Sequence, residues 1–260
     1  MDRPRSILGG IMNPVTLYFH GDLDFFLAPD HKGRPVVYPL EEQAAVKHPV
    51  ESLGAPHTEV EALVVDGRGV GFDHLLRGGE IVHVHPWNDL PPSDLLIPLR
   101  PPPPRPLRFV IDTHLGKLAT YLRMLGFDAC YRNDYDDAHL AAIAAAETRV
   151  LLSRDRGLLK RKQVVYGYCP RETEPRSQLI SVLRRYRLAD DIHPWRRCVR
   201  CNGLLAPVDK ALILDRLEPK TRLYYDEFQQ CQSCGQIYWR GSHFERMEAF
   251  IEDVKREAKT

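Results

Sequence analysis

Three aspartates and four cysteines are the residues of this chain whose types and spacing could do chemistry. Asp112 and Asp155 each follow a short apolar run, 107–111 and 150–152, and Asp137 opens a helix-period segment between them. Carboxylates brought to one edge repel one another unless a cation holds them. Mg²⁺ and Mn²⁺ accept such oxygen donors, and Mg²⁺ keeps several of its waters. Bound there, either ion would activate water against a phosphodiester and steady the charge on the leaving oxygen. Taken singly, each aspartate has a structural reading: Asp112 and Asp136 or Asp137 as helix caps, Asp155 as the opening of a turn. Their joint placement favours the site, with Asp134 or Asp136 as further candidate ligands.

Cys198, Cys201, Cys231 and Cys234 form two C-x-x-C pairs. Four thiolates satisfy tetrahedral Zn²⁺ and leave no open position, which makes that metal structural, and two pairs in one short segment argue against a redox motif. The 29 residues at 202–230 exceed a compact ribbon and predict an inserted hairpin around 211–225. Cys130 and Cys169 stand alone and read as core thiols. Basic residues flank the acidic positions: Arg154 and Arg156 bracket Asp155, with Lys160, Arg161 and Lys162 close behind. Lys117 and Arg123 belong to the helix after Asp112. Such a flank suits a phosphodiester backbone, and a solvated helix face is the competing reading.

The elements that must position these groups follow from periodicity. Apolar runs at 107–111, 127–131 and 150–152 alternate with two helix-period segments, a βαβαβ pattern that implies a parallel sheet. Leu115, Leu118, Ala119, Leu122 and Leu125 recur at helical spacing and Gly126 ends them. The segment 137–147, rich in alanine, predicts a helix packed closely on the sheet. A fourth strand is expected at 164–168 and a covering helix at 177–186. In open parallel sheets the functional crevice lies beyond the carboxyl ends of the strands, where Asp112 and Asp155 fall.

These features, Ile111-Asp112, LGKLA at 115–119, LRMLGFD at 122–128, Asp136-Asp137 and Ser153-Arg154-Asp155, resemble the PIN-like ribonuclease domain of the Mut-7 C-terminal family. Ser153 stands where that family usually has threonine, which keeps the hydroxyl. The resemblance extends to the cysteine pairs and to the phrase YWRGSH at 238–243. The phrases SLGAPHTEVEALVVDGRGV and LLRGGEIVHVHP are similar to the ubiquitin-like β-grasp module often found ahead of that domain. The resemblance implies an α/β fold, a PIN-like parallel sheet with flanking helices, preceded by a ubiquitin-like β-grasp α+β domain and followed by a zinc ribbon. It also implies a metal-dependent ribonuclease using Asp112, Asp137 and Asp155 with Mg²⁺ or Mn²⁺, and products with 5′-phosphate and 3′-hydroxyl ends. Lys117, Arg123, Arg154 and Arg156 would contact the RNA.

The chain has 260 residues and a net charge of +1, which hides an asymmetry: −5 over 1–106, +4 over 107–194 and +2 over 195–260. A polyanion should meet the last two segments. The expected organisation is a flexible leader (1–13), the β-grasp domain (14–97), a proline-rich linker (98–106), the nuclease domain (107–194), the ribbon (195–241) and an amphipathic terminal helix (242–260), opened by a capping box of Ser242 and Glu245. Strands are expected at 15–19, 25–27, 36–38, 60–65 and 81–84. His83 and His85 share one strand face at ligand spacing but have no third ligand nearby in sequence, so they read as a solvated pair. The internal Gly9-Gly10 and Gly78-Gly79 cannot serve as a free carrier terminus, so the module would recruit a protein partner. Trp195, Tyr224, Tyr225, Phe228, Tyr238 and Trp239 around the knuckles could stack on single-stranded bases. His243 reads as a packed or capping residue. No signal or membrane segment is evident, which makes the cytoplasm the expected compartment. A non-catalytic RNA-binding scaffold is the alternative, and an aspartate-nucleophile phosphatase ranks last, because His114 stands where its second acid would be.

Overall fold

The computed structural model describes residues 13–259, in two compact units, Met1–Pro102 and Pro103–Thr260. The expected leader with Gly9-Gly10 lies outside the described residues. So do the side chains of Ser242 and His243, and with them the expected capping box.

In the first unit the chain runs β1 (Val15–Phe19), β2 (Val36–Tyr38), β3 (Ala44–Ala45), α1 (Lys47–Ser52), β4 (Ala62–Val65), β5 (Arg68–Gly69), β6 (Leu75–Leu76) and β7 (Ile81–His85). Its main sheet has the order β2-β1-β7-β4-β5, with β1 and β7 parallel at the centre. Leu17, Val82 and Val84 turn inward with Val50 and Leu63, leaving Tyr18, His20, His83 and His85 to the other face. Asp66 and Gly67, both at positive φ, make the tight β4–β5 turn. The strand expected at 25–27 is instead part of a 3₁₀ turn, Gly21–Phe26. Leu23 and Phe26, three apart, share one face of that turn and are both buried. Arg100 donates to the carbonyls of His57, Thr58 and Val60.

The second unit opens with β8 (Arg108–Ile111), α2 (Gly116–Met124), β9 (Asp128–Cys130), α3 (Asp137–Ala146), β10 (Val150–Leu152), α4 (Arg156–Leu159), β11 (Gly167–Tyr168) and α5 (Pro175–Tyr186). Its strands pair in parallel in the order β11-β10-β8-β9. The chain therefore winds outward in one direction from β8 to β9 and in the other from β10 to β11, and the reversal falls between β8 and β10. Leu118, Leu122 and Leu125 fill the core beneath the sheet with Leu179 and Leu183 of α5. Gly126 ends α2 at φ +93, where a Cβ would lie 1.9 Å from the His193 carbonyl oxygen. Only glycine fits that turn.

The ribbon follows as β12 (Leu205–Val208), α6 (Pro219–Tyr224), β13 (Phe228–Cys231) and β14 (Ile237–Trp239), an antiparallel sheet in the order β12-β13-β14. Between β12 and β13 the expected hairpin is replaced by two 3₁₀ turns, Lys210–Leu212 and Leu214–Arg216, and by α6. Pro219 suits a helix start, and Ile213 and Leu217 tuck against Phe228 and Ile237 to give the ribbon a core of its own. The last helix, α7 (Ser242–Lys259), buries Ile251 and Val254 in the core of the parallel-sheet domain, sets the Phe250 ring against Tyr121 at 5.0 Å with the planes tilted by 36°, and pairs Asp253 and Glu257 with Arg176. No described helix is long and apolar enough to cross a membrane.

One carboxylate joins the ribbon to the sheet. Asp128 opens β9, the edge strand, and accepts hydrogen bonds from Arg149 (2.8 Å), Asn202 (2.8 Å) and Arg197 (3.2 Å). Asn202 in turn accepts the Ala129 N–H at 3.0 Å, so the first cysteine knuckle covers this stretch of the sheet edge. Burial opposes ionisation of Asp128, but the hydrogen bonds from Arg149 and Asn202 and the charges of Arg149 and Arg197 outweigh it and hold its carboxyl below the usual range. A depressed carboxylate contributes stability that is full above its unfolded value, about 3.9, and lost as pH falls through the lower folded value. Asp128→Ala, which takes from the buried Arg149 one of its two carboxylate partners and leaves it Glu147, should lower the unfolding free energy by about 3 kcal/mol in urea titrations at neutral pH. It should also flatten the loss of stability below about pH 4; an unchanged midpoint and acid limb would remove the clamp from the account.

Candidate active site and metal centre

The reversal of strand order puts the carboxyl ends of β8 and β10 side by side, which is where open parallel sheets form their crevices. Asp112 follows β8 there, and its backbone N–H donates to the Leu152 carbonyl at 3.0 Å, continuing the ladder. Its side chain is only 7% exposed. One carboxylate oxygen accepts the Ser153 hydroxyl at 2.6 Å and the other lies 3.2 Å from the Thr113 hydroxyl. The fully buried Ser153 oxygen also accepts the Asp155 N–H at 2.9 Å. A single hydroxyl thus couples the two strand-end aspartates. Among the described residues no lysine or arginine pairs with Asp112. Buried carboxylates are ordinarily paired with a cation or bound to a metal.

The other acidic candidates are more exposed. Asp155 uses Oδ1 to cap α4, accepting from the N–H groups of Gly157 (2.6 Å) and Leu158 (3.0 Å). Asp137, in the first turn of α3, has Arg161 at 3.7 Å. Asp136 caps α3 through the His139 N–H, and Asp134 pairs with Arg132. Asp112, Asp137 and Asp155 do not form a cluster with all donor atoms within 4.8 Å of one another. Their oxygen donors suit a hydrated hard cation, which can be bound partly through its waters.

Of the basic candidates, Lys117, Arg154 and Arg156 are exposed, and the Lys117 ammonium lies 5.8 Å from the Tyr121 ring centre. Arg123 is different. It is 4% exposed, and its guanidinium donates to the carbonyls of Ala129, Tyr131, Val199 and Arg200 at 2.9–3.3 Å. A charged residue on a helix reads as solvated in a sequence, yet this one braces α2 and β9 against the first knuckle and has no face to offer a phosphate.

The four knuckle cysteines meet with all sulfur atoms within 4.8 Å of one another. Cys198 and Cys234 are 3.7 Å apart and Cys201 and Cys231 3.4 Å. Sulfurs on a tetrahedral zinc with Zn–S of about 2.3 Å would lie about 3.8 Å apart, so the set fits that ion. The Tyr238 hydroxyl lies 3.0 Å from Cys198 Sγ and fixes its side. Burial pushes the Cys201 thiol up to about 12, while at Cys231 burial is outweighed by the N–H groups of Cys234 and Ser233 and by neighbouring thiols, bringing it to about 7.

Beside the cluster a cleft of about 830 Å³ runs between the ribbon sheet and α7, lined by Trp195, Tyr225, Phe228, Tyr238, Trp239 and Phe244 with Arg240 at its rim. Five of the six aromatics singled out in the sequence line it, and Tyr224 stands outside, 70% exposed. Removal of zinc by a strong chelator should release one equivalent per chain from this cluster and expose the ribbon to protease, and Cys234→Ser should do the same. Metal analysis with limited proteolysis checks this; a ribbon that stays resistant without zinc would contradict it.

Two features escaped the sequence reading. Ser153 is visible there only as a hydroxyl kept in a motif, with no sign that it bridges two carboxylates. The third member of a second ligand cluster, His20 with His83 and His85, comes from the residue that follows β1, a strand distant in sequence from β7.

The chain matches the model of the Mut7-C RNAse domain over residues 107–251 and that of the Mut7-C ubiquitin domain over residues 12–90. No curated protein and no solved structure matches it. The matched span holds the parallel sheet, the Asp112–Ser153–Asp155 bridge and the four-cysteine cluster, and the chain belongs to the Mut7-C RNAse domain family, with a Mut7-C ubiquitin domain at its N-terminal side.

Proposed function

We propose that this chain is a ribonuclease that hydrolyses RNA phosphodiester bonds with the help of Mg²⁺ or Mn²⁺ held at Asp112, Asp155 and Asp137. The observation that carries this reading is the buried Asp112 carboxylate at the strand-order reversal, with which no lysine or arginine pairs among the described residues. When bound there, such an ion supplies an activated water and offsets charge on the leaving oxygen. The protein's own part is positioning. Ser153 fixes one oxygen of Asp112 and ties the turn that carries Asp155 to it, so the two strand ends present their carboxylates as one unit. Lys117, Arg154 and Arg156, exposed on the elements flanking those ends, align the phosphate backbone. Arg123 is left out of this set because it is buried and its guanidinium donates to four carbonyls within the fold. The aromatic cleft, with Trp239 at 40% exposure and Arg240 over the Phe244 ring, gives unstacked bases a surface to stack on, which favours single-stranded RNA. The zinc cluster keeps that surface in shape, and the ubiquitin-like unit recruits a protein partner. The cytoplasm is the compartment this reading favours.

Labelled single-stranded and structured RNAs incubated with Mn²⁺, Mg²⁺ or chelator should be cut only with metal, leaving 5′-phosphate ends. Cleavage should vanish in Asp112→Asn and Asp155→Asn and fall about 10- to 100-fold in Ser153→Ala, where the ligands remain but their support is lost. RNA bound but never cut by the parent protein would replace this reading with that of a binding scaffold.

A further inference from the structure

The first unit holds a cluster that the ribonuclease reading does not use. His20 follows β1 and His83 and His85 lie in β7, and these strands run parallel at the centre of the sheet, with Tyr18 opposite His83. Alternation along both strands sends the three imidazoles to the same face. One nitrogen from each ring lies within 4.8 Å of the other two. His20 Nε2 is 2.9 Å from His83 Nδ1, and the His20 and His85 rings stack at 4.1 Å and 6°.

The surroundings fix one ring for ligation. His85 Nδ1 lies 2.9 Å from the backbone carbonyl oxygen of Asp89. A carbonyl only accepts, so Nδ1 carries the proton and Nε2 keeps its lone pair, the tautomer and the supporting contact typical of metal-binding histidines. Tyr18 stacks on His83 at 4.9 Å and limits its rotation. Gly21, at φ +54, lets the chain after His20 close on the loop that bears Asp89: a Cβ there would meet Pro86 at 2.7 Å and Asp89 at 3.0 Å. Two imidazole nitrogens on a tetrahedral ion with metal–nitrogen bonds of about 2.0–2.1 Å lie about 3.3 Å apart, close to the His20–His83 separation. The third nitrogen lies within 4.8 Å of both.

We infer that His20, His83 and His85 form a second metal site, a three-histidine centre for a divalent transition-metal ion of the zinc class, with one coordination position left to water or an exogenous ligand. Imidazole donors of this number suit Zn²⁺, Co²⁺ or Ni²⁺ over Mg²⁺. The site lies wholly within the ubiquitin-like unit and is independent of the nuclease reading.

Co²⁺ titration of the full-length, metal-free protein in excess Mg²⁺ tests it, because sulfur- and nitrogen-ligated cobalt differ in absorption. The parent protein should take up two equivalents, one with thiolate charge-transfer bands and one with ligand-field bands alone. His20→Gln and the less buried His83→Gln should each lose only the second, with the thiolate bands intact. A parent protein that saturates with the thiolate-bound equivalent alone, or variants that still take up the nitrogen-bound one, would overturn the inference. Failure of the cysteine cluster would instead remove the thiolate bands and leave the histidine count readable.

Discussion

Asp128 is the charge on which the second unit turns. A carboxylate taken largely out of water costs several kcal/mol unless its oxygens are filled, and here two guanidinium groups and an amide fill them. The donors come from two parts of the chain: Arg149 from the approach to β10, Arg197 and Asn202 from the first cysteine knuckle. The same contacts that neutralise Asp128 therefore set the edge strand, the lead into β10 and the ribbon in one arrangement. Arg123 repeats the device with opposite sign, a buried cation satisfied by four carbonyls, two of them in the knuckle. Zinc would lock the knuckle, and through Asp128 and Arg123 that lock reaches the sheet.

The contrast with Asp112 carries the functional argument. Asp112 is buried and Asp128 half-buried in one parallel sheet, and among the described residues Asp128 is matched by arginines while Asp112 is held by hydroxyls with no lysine or arginine paired to it. Hydroxyl donors orient a carboxylate without cancelling its charge. Asp112 follows β8 beside the end of β10, at the strand-order reversal where open parallel sheets form their crevices.

Much of this was legible in the sequence. The period of Leu115 to Leu125, the glycine stop at Gly126 and the aspartates after two apolar runs placed the parallel sheet and the edge at which Asp112 and Asp155 fall, and the C-x-x-C pairs marked the ribbon. What stayed hidden depended on long-range pairing. His20 and His83 are separated by 63 positions, and only the parallel pairing of β1 with β7 brings them together, so the pair His83 and His85 looked incomplete. Arg123 was misread because the helical period says which face a residue shares but not that a second domain element covers it. The segment 211–225 lacks a hairpin because Pro219 starts a helix and the ribbon needs Ile213 and Leu217 for a core of its own. The 25–27 run became a 3₁₀ turn for a similar reason, since burial at a spacing of three suits a tight helix rather than a strand.

The proposed metal site depends on Asp112, a buried carboxylate held by hydroxyls. Electron paramagnetic resonance of free Mn²⁺ during titration of the zinc-loaded, full-length protein and its Asp112→Asn variant tests this most directly. Uptake of Mn²⁺ by the parent protein that disappears in the variant, with folding preserved, is the result the account predicts. Equal uptake by both, or none by the parent, would contradict it.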